Sequence, residues 1–312
     1  MRQKITGWLL TGGVLFALPC ILTLIIRKNI PETDTLAFDS GILVYINHGS
    51  SMESMDFEEY LIGVTGSQIP QDYPLEAVKA QAVIARTHMM GIIGDRSSIT
   101  ASELGEEYLS RDAFLEKWGN GGKEAYENLI QAVTDTQEEV LTYEGELTEP
   151  VFFYSGTGKT RNALDVWGSA IPYLVCVESP EPEGGDQGGE NQTQIVLDAA
   201  DCIQRLKASD EDFEAMEDTF KDSVQILQKD DSGYVLSIQM GNKTFSGEAL
   251  RQALDLPSAA FDVSAKRKTV TFTVTGSGHG VGLSQQGAKT LAEEGKGYDE
   301  ILSWYFPGTV LE

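Results

Sequence analysis

Residues 58 to 90 read EEYLIGVTGSQIPQDYPLEAVKAQAVIARTHMM, and the way this stretch divides decides the fold. Phe57 to Val64 has helical patterning, Pro70 breaks it, and Gly66 to Pro74 predicts a kinked loop. Pro74 then opens PLEAVKAQAVIARTHMMGII, with proline in the first turn, a run of alanines and Gly91 near the end. Leu75, Val78, Ala82, Ala85 and Met89 recur at helical spacing, and the scarcity of charge predicts a largely buried helix. Arg86 sits inside that apolar run. A cation there must be paired or must line a cleft.

On the C-terminal side, residues 110 to 118 and 123 to 136 predict two helices, split by Gly119-Asn120-Gly121-Gly122. From Glu139 the period changes: EVLTY, a turn at Glu144-Gly145 and EPVFFYS predict paired strands. The segment PEPEGGDQGGENQ, 180 to 192, is acidic and glycine-rich and predicts a mobile loop or internal linker. Leu197 to Lys207 predicts a helix. SVQILQ and YVLSIQM flank Asp230 to Gly233 as a hairpin, and Ser246 is placed to cap a helix running to Leu254. KTVTFTV, 268 to 274, alternates as a strand with threonine on one face. Helices mixed with antiparallel strands predict an α+β domain over residues 56–312.

On the N-terminal side, residues 29–55 predict a linker and a first strand near Ile42 to Ile46. Trp8 to Ile26 is a nineteen-residue stretch without charge, preceded by Arg2 and Lys4 and followed by Arg27 and Lys28. That length is close to the roughly 20 residues that span a bilayer. Residues 1–28 are therefore expected to form a cytoplasmic stub and a single uncleaved transmembrane helix, which would place the rest of the chain on the cell membrane as an ectodomain. Basic residues flank both ends about equally, so charge does not orient it.

The formal net charge of -25 argues against a nucleic-acid partner, because phosphate binding needs clustered Lys and Arg. A polymeric ligand would have to be held by shape and hydrogen bonds in a cleft. Cys20 lies in the apolar segment, and Cys176 and Cys202 are too few to make a disulfide framework and are expected to be unpaired. SGTGKT, 155 to 160, lacks the first glycine of a phosphate-binding loop, since Phe153 stands there, and reads as a polar turn after a strand. No cofactor is expected. Zinc would have to draw on His48, His88, His279 and Cys176, and none has ligand spacing with another.

GSGHGVGLSQQGA, 276 to 288, is the strongest local signal. Four glycines surround His279 between a predicted strand and a predicted helix from Ser284 to Glu294. A tight strand-to-helix turn explains one or two of them, and the rest point to close backbone approach at a functional site.

Together these segments resemble the domain shared by stage II sporulation protein D and the amidase-enhancer proteins. The likeness runs through EEYLIGV, IP, PLEAVKAQAV, ART, VFFYS, Thr160, Asn162, Trp167, PYLVCVESP, GHGVGLSQQGA and YDEILSWYFPGTVL, in order from about residue 40 to the end. It implies an ectodomain facing the cell-wall space of a sporulating cell and acting in engulfment. The expected ligand is a peptidoglycan glycan strand stripped of its stem peptides by a partner amidase, and membrane proteins of the engulfment complex are expected partners. Active members are lytic transglycosylases that leave 1,6-anhydro ends. Their one catalytic glutamate sits in a segment like GVVAAEMP, two residues before the proline.

The matching segment here is GVTGSQIP, and the residue at that place is Gln68. An amide has the shape of the acid but cannot donate a proton near neutral pH. The resemblance thus implies a binding or amidase-stimulating pseudoenzyme. Its alternative is an active transglycosylase using another carboxylate, with Glu53, Glu58, Glu59, Asp72 and Glu76 nearest in sequence. Gln68 is expected to hydrogen-bond the bridging oxygen and Arg86 to contact acetamido or lactyl groups. His279, Ser284 and Gln285 are expected to line the opposite wall. His88 stands where the family usually has tyrosine, and Tyr154 where some members carry histidine.

Overall fold

The computed structural model describes residues 38–49, 51–181 and 191–312. The expected anchor, Trp8 to Ile26, and most of the acidic 180–192 segment lie outside them. Among the described residues no helix is long and apolar enough to cross a membrane.

Residues 39–312 form one compact unit. It opens with strands β1 (Leu43–Asn47) and β2 (Met52–Asp56), an antiparallel pair joined by β3 (Ser98–Thr100) in parallel with β1. Asp56 closes β2 and caps helix α1 (Phe57–Gln68), accepting the Glu58 amide at 2.8 Å. Helix α1 runs past the predicted end at Val64, and Gly66 is helical, where a Cβ would stand 2.9 Å from Leu129 Cδ1 and 3.1 Å from the Phe114 ring. The helix stops at Gln68 because Ile69 precedes Pro70 and takes extended geometry (φ -114°, ψ 141°). Gln68, the expected site residue, is therefore the last residue of the helix.

Pro74 precedes helix α2 (Leu75–Ile93), the buried helix expected from its alanines. Helices α3 (Ala101–Leu104), α4 (Arg111–Trp118) and α5 (Gly122–Asp135) follow, and the glycine run between α4 and α5 is a 3-10 turn. Val78, Ala82, Ala85 and Met89 of α2 are all buried, and α2 packs on α1 and α5. Burying apolar side chains at roughly 25 cal/mol per Å² makes this helix the centre of the N-terminal half.

Strand β4 (Leu141–Tyr143) turns at Glu144-Gly145 as predicted but pairs with β5 (Glu146–Leu147) and not with EPVFFYS, of which only β6 (Phe152–Phe153) becomes strand. The one-turn helix α6 (Ala163–Trp167) follows. Leu197 belongs to strand β7 (Gln192–Asp198) instead of the predicted helix, which begins only at α7 (Ala199–Ser209). Leu197 is claimed by the sheet, where it lies opposite Val270.

Helix α8 (Glu217–Phe220), the meander β8 (Gln225–Lys229), β9 (Val235–Met240) and β10 (Lys243–Phe245), and helix α9 (Gly247–Leu254) complete the second half, with strands β11 (Phe261–Ala265) and β12 (Thr269–Thr275). On β12 the alternation holds: Val270, Phe272 and Val274 are buried in a core shared with Phe213, Leu250 and Cys202, and the threonines lie on the other face. The chain then returns to the first half through β13 (Leu283–Ser284), parallel to β6, helices α10 (Gln285–Glu293) and α11 (Tyr298–Tyr305) against α2, and β14 (Val310–Leu311) against β4. The α+β expectation holds, with the added finding that β1/β3 and β6/β13 pair in parallel. Cys176 and Cys202 are both free thiols, and burial pushes the Cys202 thiol up to about 12.

Candidate functional site

Where the return segment meets α1 and α2, a cleft of about 180 Å³ is lined by Gln68, Ile84, Ala85, His88, Glu106, residues 150–152 and His279. Gln68, from the end of α1, is held by a chain of amides. Gln285 donates to Gln81 Oε1 at 3.2 Å, Gln81 donates to Gln68 Oε1 at 2.8 Å, and Gln68 Nε2 donates to Glu106 Oε2 at 3.0 Å. Gln285 Nε2 also reaches the Gln68 backbone carbonyl at 2.9 Å. A carboxylate can only accept, so Glu106 sets the direction of every amide in the chain. Gln81 and Gln285 are buried and hold Gln68 from behind.

His88 Nε2 lies 3.3 Å from Glu106 Oε1. The hydrogen bond to Glu106 is the largest cause that raises the imidazole pKa above its ordinary value, and the same contact holds the Glu106 carboxyl below its own. The one cleft-lining carboxylate among the described residues is thus ionised near neutral pH, with a histidine beside it inclined to stay protonated.

The opposite wall is the glycine-histidine loop. Gly276, Gly278, Gly280 and Gly282 all have positive φ, which favours glycine. At Gly282 a Cβ would stand 2.2 Å from the Val151 carbonyl oxygen, so the glycine is also what lets the loop lie against the strand bearing Phe152. The Val281 amide donates to His279 Nδ1 at 3.1 Å, which leaves Nε2 to carry the proton of the neutral ring. Burial is the largest cause lowering the His279 pKa to about 4, so the ring is uncharged near neutral pH.

Aligned with known proteins, the chain matches the family model described as Stage II sporulation protein over residues 45–143. It is 33% identical over 277 residues to Stage II sporulation protein D of Bacillus subtilis (strain 168), covering 86% of this chain and 78% of that protein. The chain belongs to the stage II sporulation protein D family. The protein of that name from Bacillus amyloliquefaciens is 32% identical over 276 residues, covering 86% and 77% of the two chains. The Amidase enhancer of Bacillus subtilis (strain 168) is 26% identical over 295 residues, covering 80% of this chain and 40% of that one.

Within this member of the stage II sporulation protein D family, three of the expected site residues do not line the cleft: Gln285 is buried behind Gln68 and not on the opposite wall, and Arg86 and Ser284 serve elsewhere. Arg86 is buried on a different face of α2 from His88, and its guanidinium grips Glu58 through Nε to Oε1 and Nη2 to Oε2, both at 2.8 Å. Its remaining donors go to Thr136 Oγ1 and the Glu139 and Val133 carbonyls. It leaves no donor for a sugar in the cleft, and Glu58 is its buried partner. Ser284 is also buried: it caps α10 by accepting the Gly287 amide at 3.2 Å, and donates to Glu181 Oε1 at 2.5 Å. Burial pushes the Glu181 carboxyl up, and among the described residues its Oε2 has no hydrogen-bond partner.

None of the carboxylates weighed from the sequence reaches the cleft. Glu53 pairs with His48, Glu58 with Arg86, Asp72 with Lys289 and Glu76 with Lys79, while Glu59 is exposed on α1. Glu106 was not among them, because nothing near it in sequence marks it; only the packing of the segment after α3 brings it to Gln68. Arg161 is a second residue without a local signal. It is buried, pairs with Asp230 and Glu248, both at 2.7 Å, and stacks over Tyr234 at 4.5 Å. Its amide donates to Gly280 O at 2.7 Å and its Nη1 to His279 O at 3.2 Å, so it positions the loop that presents His279. His48, His88, His279 and Cys176 have separate partners, and among the described residues no three His, Cys, Asp or Glu side chains gather as a metal site.

Proposed function

We propose that this chain holds a stem-free peptidoglycan glycan strand in the Gln68 cleft without cutting it, and stimulates a partner amidase during engulfment from a single-pass position in the cell membrane. The observation that carries the reading is Gln68 itself. It stands at the helix end where an acid would be expected, and its amide donor is spent on Glu106 at 3.0 Å. A general acid must carry a proton and release it to the glycosidic oxygen. Gln68 has none to release, and the Glu106 carboxyl, held low by His88, is ionised. The names of the relatives, Stage II sporulation protein D and Amidase enhancer, favour a sporulation role and an amidase partner.

One observation favours a second reading, an active lytic transglycosylase. Glu106 and His88 form a carboxylate-imidazole pair in the cleft, and such a pair can carry a proton in either direction. Full-length protein, Gln68→Glu and Glu106→Gln, each incubated with stem-free strands, separate the two. The binding reading expects the natural protein to bind strands and release no 1,6-anhydro ends by mass spectrometry. Anhydro products from the natural protein that vanish in Glu106→Gln would establish the second reading and overturn the first.

A further inference from the structure

We propose that Trp167 is a sugar-stacking platform that extends the cleft by one subsite and receives the uncharged N-acetylglucosamine unit next to the one beside Gln68. The inference rests on the glycan-holding reading above and adds a residue to it.

The argument starts from volume. About 180 Å³ falls below the roughly 300–1,000 Å³ of sites that enclose drug-sized ligands. A polymer held there must continue over the neighbouring surface, so the next contact is made by whatever flanks the cleft wall. On the His279 side that is Trp167. Its ring centroid is 5.6 Å from that of His279, which lines the cleft and itself lies 6.0 Å from the buried Phe153, so the aromatic contacts run from the core through the cleft wall to the surface.

Trp167 is 45% exposed although it is one of the chain's largest apolar groups, and its neighbour Leu164 is 54% exposed. An isolated exposed aromatic would be unremarkable. This one is mounted. It ends α6, with Gly168 closing the turn at φ +75°, and the Ala163 amide is tied to Leu174 O at 2.9 Å. On the preceding residue, Asn162 Oδ1 accepts the Cys176 amide at 3.0 Å, and Arg161 N binds Gly280 O of the histidine loop at 2.7 Å. The turn that carries Trp167 is thus tied to the loop that presents His279, and the indole rests against the His279 ring, which lowers the cost of fixing it on binding.

Chemistry selects the occupant. The apolar face of a pyranose ring matches an indole face, and the neutral His279 ring adds no charge. Exposed Asp165 on the same turn disfavours an anionic unit at the platform, whereas beside Gln68 the Glu106 charge is offset by the His88 imidazole paired with it, so the lactyl-bearing sugar is directed there and N-acetylglucosamine to the platform.

The test compares full-length protein with Trp167→Ala and Trp167→Phe for binding to end-labelled stem-free strands and to the single disaccharide unit. The platform predicts about a tenfold loss of strand affinity in Trp167→Ala, most of it retained in Trp167→Phe, and no change for the disaccharide. Because the side chain is exposed, the melting temperature should stay unchanged. Strand affinity equal to the natural protein's in Trp167→Ala overturns the platform, even if the variant loses a protein partner. An equal loss for the disaccharide also overturns it, by placing the effect on His279. Failure of the natural protein to bind any strand would instead sink the glycan-holding reading.

Discussion

Glu106 Oε2 accepts a hydrogen bond from Gln68 Nε2 at 3.0 Å, which places the cleft's carboxylate one side chain away from the amide that ends α1. The pair has a direct consequence for restoring chemistry. In Gln68→Glu the new carboxyl faces an existing one at hydrogen-bond distance, and two carboxylates so close cannot both ionise easily. Its pKa rises, as a general acid at near-neutral pH requires. We expect Gln68→Glu to release 1,6-anhydro ends at least about 10²-fold faster than the natural protein, with the rate falling as pH rises through the raised pKa. Adding Glu106→Gln should shift that falling limb to lower pH. A rate profile indifferent to position 106 would break the argument.

Arg86→Ala should unfold the domain more readily without emptying the cleft. It leaves the buried Glu58 carboxyl without its guanidinium partner, a loss of about 3–5 kcal/mol. Urea denaturation would show it as a lower midpoint with an unchanged slope. The folded fraction should bind strands as before; selective loss of binding at unchanged stability would return Arg86 to the ligand site.

The two cleft histidines titrate in opposite directions. His88 has its pKa raised by Glu106, so its share of stability is complete below 6.5 and is lost as pH rises through the raised value. Glu106 is lowered, so its share is present above 4.5 and is lost as pH falls through its depressed pKa. His279, lowered to about 4, contributes fully above 6.5 and loses its share as pH falls toward 4. Nitrogen-15 NMR of the three histidines should find one imidazole neutral down to about pH 4 and one still protonated above 6.5. Replacement of His88 by glutamine should remove only the second signal.

Gly280→Ala tests the loop from its backbone. Gly280 has φ +81°, and a Cβ would stand 2.7 Å from the Tyr234 ring and 2.9 Å from Arg161 Cδ. The left-handed strain alone costs about 1–3 kcal/mol, and the clash pushes on the residue that positions His279. Thermal unfolding should move down and strand affinity should fall together. Arg161→Lys, which keeps charge but loses the fork that spans Asp230 and Glu248, should weaken binding more than it weakens the fold.

The local elements were legible because their causes are local. The alternation of Val270, Phe272 and Val274, the alanine-rich helix after Pro74 and the capping Ser246 each draw on neighbours within a few positions. Leu197 was misread as helical because its decisive contact is with Val270 across a sheet. The same limit runs through the site.

The sequence alone determined that position 68 carries an amide, that glycines crowd His279, and that the chain has the motifs of its family. Tertiary structure decided who meets whom. Arg86 finds Glu58 28 positions away, Gln68 finds Glu106 38 positions away, and Arg161 reaches the His279 carbonyl across 118. Charges lose hydration on burial and take whichever partner the packing brings within about 3 Å, and that choice is made by helix and strand placement and not by spacing along the chain.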